Sequence, residues 1–156
     1  RGLGDVYKRQ VFMNKDFDYE IVPRGYAHCF NDNCSKSGSC LRHCVAQHCT
    51  ADVPFITILS PVCVPATSAE CTYFAPIRKM RVAWGVKNLF GTLPYNKASD
   101  IRNQIIAYFG RTHYYRIYRE ERFISPEDQQ VVNRIFVNNG ITEMPIFDSY
   151  SEVYKW

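Results

Sequence analysis

Apolar residues recur at helical spacing most clearly near the end of the chain. Val131, Val132, Ile135 and Phe136 share one face of a 3.6-residue period, and Ser125-Pro126-Glu127-Asp128 precedes them. That tetrapeptide supplies a serine N-cap, a proline at the first helical position and acids in the first turn, while Gly140 ends the run. A second helix is expected over 99–109, with Ile101, Ile105, Tyr108 and Phe109 on one face and Gly110 as its stop. Met80, Ala83, Trp84 and Val86 give a less clean helical pattern, which predicts a helix from about Arg78 to Phe90. Arg111 to Arg122 reads two ways: Tyr114, Ile117 and Tyr118 fit a helix, whereas His113, Tyr115 and Ile117 alternate as in a strand.

The first half is patterned differently. An acidic entry over 16–20 is followed by a loop of turn formers, Asn31 to Ser39, which leads into a short helix expected over 40–48. Val53 to Leu59 reads as one strand, with Pro54 near its start where a missing backbone donor is tolerated. Pro61, Pro65 and Pro76 then break up the approach to the second half. No flexible linker or internal repeat separates the halves. The expected fold is a single α+β domain: a cysteine-rich metal knuckle with a strand or two (13–76), packed on a mainly helical half (77–156) that the aromatic tail Phe147 to Trp156 closes.

Composition supports a packed core, since 46% of the 156 residues are hydrophobic and 15% aromatic, which excludes a disordered chain. Arg1 to Gln10, RGLGDVYKRQ, resembles the codon-for-codon translation of a transposase sequencing adaptor. Residues 1–12 are accordingly read as an artefactual or upstream leader, and Met13 as the expected start. Leaving out the decapeptide lowers the formal net charge from +4 to +2. The remaining charge is uneven: Arg78 to Arg134 carries eleven basic and five acidic residues, between two flanks that are each net negative. From Met13 onward there is no basic segment followed by an apolar one. The longest apolar stretch, Val53 to Val64, is interrupted by Pro54, Thr57, Ser60 and Pro61. Neither a secretory signal nor a transmembrane helix is expected, and the cytoplasm is the default location.

Cysteine usage points to chemistry. Seven cysteines occur, five of them as Cys29-x4-Cys34-x5-Cys40-x3-Cys44-x4-Cys49, with Cys63 and Cys71 beyond. In a reducing compartment such crowding calls for metal or redox chemistry rather than disulfides, which the odd count also disfavours. Thiolates bind soft and borderline ions when several converge, and Cys29, Cys34 and Cys40 bracket the turn-rich loop. Cys71 is the expected fourth ligand, because a distant thiol staples its segment back onto the loop; Cys44, one turn beyond Cys40, is the reserve. Zinc is the expected ion, with an iron–sulfur cluster as the alternative. Cys34, Cys40 and Cys44 have part of the spacing of the auxiliary cluster segment of some radical enzymes, but no catalytic radical-enzyme motif accompanies it. Cys63, between Val62 and Val64, fits a buried free thiol, and His28, His43 and His48 fit polar surface or supporting positions.

Arginines interleave with tyrosines between Arg111 and Arg122, so Arg111, His113, Tyr115, Arg116, Arg119 and Arg122 form a candidate nucleic-acid surface, DNA being the first partner to consider. The order of helix, Gly110, basic segment and capped helix resembles the layout of helix-turn-helix repressors. Ile106 and Arg116, however, stand where that family has a small and a branched apolar residue. The alternative is a solvated face in which the arginines pair with Glu120 and Glu121. No glycine-rich phosphate loop, HExxH or GxSxG occurs, and a cysteine nucleophile beside His28 or His43 is the one enzymatic option, so binding is favoured over catalysis.

From Met13 to Trp156 the chain resembles a family of small gut-bacterial proteins built on a domain of unknown function. Phe17-Asp-Tyr19, His28-Cys29, Cys34, Cys40-Leu-Arg42, Cys71-Thr-Tyr-Phe74, Ala83-Trp-Gly85, Phe109-Gly-Arg111, Tyr114-Tyr-Arg116, Tyr118-Arg-Glu-Glu-Arg122 and Asn139-Gly-Ile141 carry the resemblance. It implies that Cys29, Cys34, Cys40 and Cys71 are the shared cysteines, with Cys44, Cys49 and Cys63 as additions, and it implies no activity. The expected function is that of a cytoplasmic, zinc-stabilised binding protein, with a DNA-binding regulator as its first specific form. The alternatives are a protein-interaction module and an iron–sulfur redox or sensor protein.

Overall fold

A computed structural model describes residues 17–64 and 71–156. The leader, Met13, Asp16 and Pro65 lie outside the described residues. The fold class is α+β, with four α-helices and one two-stranded antiparallel sheet among the described residues. The chain forms two compact units, one running to Arg78 and including Trp156, the other Lys79–Lys155.

In the first unit, short turns replace long elements. A 3-10 turn at Tyr19–Ile21 is capped by Asp18, whose carboxylate accepts the Glu20 N–H at 2.9 Å. The loop after Cys29 is a relay of tight turns: the N–H of Cys34 donates to Asn31, that of Ser37 to Cys34, and that of Cys40 to Ser37. It delivers the chain to helix α1, Leu41–Gln47, whose Leu41 and Val45 are fully buried with Cys44 and Ala46 beside them. The 75–77 segment is fixed alongside by Leu41 N–H to Ala75 carbonyl and Ile77 N–H to Ser39 carbonyl.

The strand expected over 53–59 does not form. That stretch is held instead by a single parallel bridge between His28 and Ile58, with hydrogen bonds from His28 N–H to Thr57 and from Leu59 N–H to His28. Among the described residues no second strand pairs with it, Phe55 is 91% exposed, and the apolar pattern of the stretch builds no core. The following residues, 61–63, turn at the surface, and Cys63 is exposed rather than buried.

The second unit holds the larger core. The helix expected over 78–90 is instead strand β1, Lys79–Trp84, followed by a 3-10 turn at Asn88–Phe90. β1 pairs antiparallel with the tail strand β2, Ser149–Tyr154, in the register Lys79 with Tyr154 through Trp84 with Ser149. Tertiary pairing overrides the helical spacing here: Val82 and Ala83 are both fully buried, one opposite Ser151 and the other opposite Tyr150. Helix α2, Tyr95–Phe109, begins directly after Pro94 and ends at Gly110, whose φ of 79° breaks it. Helix α3, Arg111–Tyr118, starts at once, resolving the ambiguous segment as helix. Helix α4, Pro126–Asn138, has Ser125 as its cap, the hydroxyl accepting the Asp128 N–H at 3.1 Å. Ile101 and Ile105 of α2, Tyr114 and Ile117 of α3, and Val132 and Phe136 of α4 meet Ala83, Val86, Leu89, Ile124 and Phe147 in one buried cluster.

A candidate thiolate metal centre

The turn relay and the start of α1 bring the four expected ligand cysteines to one place. Cys29, Cys34, Cys40 and Cys71 all line one small cavity of about 20 Å³, together with Asn31, Ser37, Arg42, His43, Leu59, Val64, Tyr73 and Phe74. That is room for about one water-sized sphere. These residues share the cavity without their side chains forming a ligand cluster. Among the described residues, no three His, Cys, Asp or Glu side chains form a group that could hold a metal ion.

The other thiols lie elsewhere. Cys44, the reserve ligand, does not line the cavity; it is buried in α1, with its sulfur 3.9 Å from His48 Nδ1. Burial, and then the neighbouring Cys40, push its thiol above the ordinary range, which keeps it protonated. Cys49 lies beside Tyr19, whose hydroxyl is pushed up to about 12 by burial and by its hydrogen bond with that thiol.

His28, His43 and His48 are committed to hydrogen bonds. His28 is buried, and its Nδ1 faces the carbonyls of Tyr26 at 2.9 Å and Thr57 at 3.0 Å, so Nδ1 carries the proton. Nε2 then accepts from the Tyr19 hydroxyl at 2.7 Å, which makes His28 an internal brace rather than a surface residue. His43 lines the cavity, but its Nδ1 donates to the Cys29 carbonyl at 3.1 Å and its Nε2 lies 3.7 Å from Asp32. His48 donates from Nδ1 to the Cys44 carbonyl at 2.8 Å.

Two residues here were not among the expected site residues. Arg42 reaches across the cavity wall to the carbonyls of Ala27 and Tyr73. Tyr26 lies under its guanidinium, 4.8 Å from ring centroid to Cζ. The Tyr26 hydroxyl is buried with no hydrogen-bond partner among the described residues. A cation in the first turn of a helix crowded with thiols was the available signal for Arg42; nothing local marked Tyr26.

All six residues of the candidate nucleic-acid surface are exposed, Arg111, His113, Tyr115 and Arg116 on α3 and Arg119 and Arg122 after it, whereas Tyr114 and Ile117 point into the core. Arg119 forms a two-pronged pair with Glu121, at 2.7 and 3.2 Å, and Arg116 lies 3.9 Å from the same carboxylate. Only Gly110 separates α2 from α3, too short for the three- to four-residue turn of a helix-turn-helix.

Comparison with known families adds one result: the model of DUF6078, a family of unknown function, matches residues 13–156. The chain belongs to DUF6078. No curated protein and no solved structure matches it. The DUF6078 match takes in both compact units, and therefore the cavity and α3 alike. Among the described residues of this DUF6078 chain, no helix is long and apolar enough to cross a membrane.

Proposed function

We propose that the chain is a cytoplasmic, zinc-stabilised binding protein whose first unit closes around one ion held by Cys29, Cys34, Cys40 and Cys71. The observation that carries this reading is the shared cavity those four thiols line. The donor set suits tetrahedral zinc, which takes sulfur at about 2.3 Å. The space supports a single ion over an iron–sulfur cube, which needs room for several iron and sulfide atoms. The Tyr26 hydroxyl, without a partner among the described residues and within electrostatic reach of Cys40, would gain an acceptor if a metal-bound Cys40 thiolate turned toward it. When bound, zinc supplies folding energy and no redox chemistry.

Elemental analysis with an absorbance spectrum, on chain expressed from Met13 and purified without oxygen, tests the reading. One zinc per chain and a colourless solution are expected. Iron with sulfide and a broad band near roughly 400 nm would replace zinc by a cluster, and absence of any metal would end the proposal.

For the partner, the exposed arginines and Tyr115 on and after α3 favour an acidic surface, with DNA as the first candidate. The Arg119–Glu121 pair favours a second reading, a protein-interaction module in which this face is merely solvated. Salt-sensitive retention of the folded protein on DNA decides between them.

A further inference from the structure

Arg42 occupies an unusual position relative to the thiols. It sits two residues past Cys40, and its backbone carbonyl accepts the Cys29 N–H at 3.1 Å. Its Nε donates to the Tyr73 carbonyl at 3.0 Å, two residues beyond Cys71, and its Nη1 to the Ala27 carbonyl at 3.1 Å, two residues before Cys29. One residue thus ties together the three segments that carry Cys29, Cys40 and Cys71. Yet no carboxylate among the described residues forms an ion pair with it. A guanidinium has five N–H donors, and the two carbonyls use two of them; the others have no acceptor among the described residues. Arg42 lines the cavity, and no carboxylate among the described residues matches its charge.

We infer, on the basis of the zinc reading above, that Arg42 is the clamp and counter-cation of the thiolate centre. Four thiolates around a divalent ion leave two excess negative charges in a confined space, and an adjacent cation offsets them. The planar fork serves both roles, because its fixed geometry lets it hold two carbonyls in different segments while presenting its remaining donors to sulfur. The Tyr26 ring beneath it keeps the guanidinium plane in place. Arg42 is a positioning residue and not a ligand.

The test is chelator competition for zinc on the full chain, comparing the parent with Arg42→Met and Arg42→Lys. Arg42→Met is expected to weaken zinc binding by about 10- to 100-fold, the usual cost of losing an outer partner. Arg42→Lys, which restores the charge without the fork, is expected to recover part of that loss. Cobalt-loaded forms of all three should keep the same tetrahedral four-sulfur spectrum, since the ligands are unchanged. Equal affinity in Arg42→Met and the parent would overturn the inference; Arg42→Lys no tighter than Arg42→Met would overturn the counter-cation role. If Arg42→Met fails to fold, Arg42→Gln replaces it in the comparison. A parent chain that takes up no zinc would overturn the underlying reading instead, and that measurement comes first.

Discussion

Tyr26 carries the Arg42 guanidinium over its ring at 4.8 Å while its own hydroxyl, buried, has no hydrogen-bond partner among the described residues. Burial pushes the Tyr26 hydroxyl above its ordinary range; the Arg42 charge opposes this, and a Cys40 charge adds to it, so both neighbours act on that oxygen. An unsatisfied buried hydroxyl costs about 1–3 kcal/mol. Tyr26→Phe keeps the ring and removes the cost, so the zinc-free chain should gain about 1 kcal/mol in unfolding free energy. If zinc binding brings the Cys40 thiolate within reach of the hydroxyl, the same substitution should stabilise the zinc-loaded chain less or destabilise it. Denaturant unfolding with and without zinc checks this; an equal gain in both states means that the hydroxyl meets no acceptor in either.

The cysteines should separate into two classes by substitution. Cys34→Ser and Cys71→Ser remove thiols that line the cavity, and both should lose zinc and melt about 10 °C lower, given about 4–8 °C per kcal/mol for a unit of this size. Cys63→Ser alters an exposed thiol, and Cys44→Ser one that lies off the cavity, so both should keep their zinc. Metal content measured beside each melt distinguishes the classes. Zinc retained by Cys71→Ser but lost from Cys44→Ser would move the fourth ligand to the reserve position.

Local signals in the sequence located what they control. Ser125-Pro126 marks the start of α4, and Ile101 and Ile105 mark the buried face of α2, because caps and helical faces are written within a few residues. β1 escaped detection because its partner, Ser149–Tyr154, is far along the chain, and Met80, Val82 and Trp84 alternate as well as Met80, Ala83 and Trp84 fit a helix. Val53 to Leu59 shows the reverse: a strand-like pattern that, among the described residues, meets only the single bridge from His28 to Ile58. At the site, thiol spacing around a turn-rich loop pointed to Cys29, Cys34 and Cys40, and the stapling argument to Cys71; all four line one cavity. The role of Arg42 depends on carbonyls 15 and 31 residues away, and side-chain reach over such separations has no sequence signature.

Glu121 holds Arg119 in a two-pronged pair and has Arg116 within 3.9 Å. The hydrogen bond from Arg119 holds the Glu121 carboxyl below its ordinary range, so the pair is intact at neutral pH and breaks only as pH falls through that lowered value. If this face binds DNA, Arg116→Ala and Arg119→Ala should each weaken retention and reduce the salt slope by about one. Glu121→Gln should act oppositely, freeing two arginines for phosphate. Retention on DNA across a salt series is the measurement, and three variants indistinguishable from the parent would assign α3 to the solvated-face reading.

Gly85 makes room for Asp148. The Asp148 carboxylate accepts the N–H of Asn88 at 2.6 Å and that of Lys87 at 3.1 Å, satisfying the donors at the start of the 3-10 turn. Gly85 has a φ of 71°, and a Cβ built on it would lie 2.6 Å from Asp148 Cγ. Gly85→Ala therefore meets two penalties, the left-handed backbone and displacement of the capping carboxylate, which together cost about 2–4 kcal/mol. Asp148→Ala alone should cost about 1–2 kcal/mol, the range for a lost cap. In the double variant the clash is gone, so adding Gly85→Ala to Asp148→Ala should cost only the backbone strain, about 1–2 kcal/mol. Denaturant unfolding of the four proteins closes the cycle. Strictly additive costs would show that the alanine methyl is accommodated without moving Asp148, and that the glycine serves its backbone conformation alone.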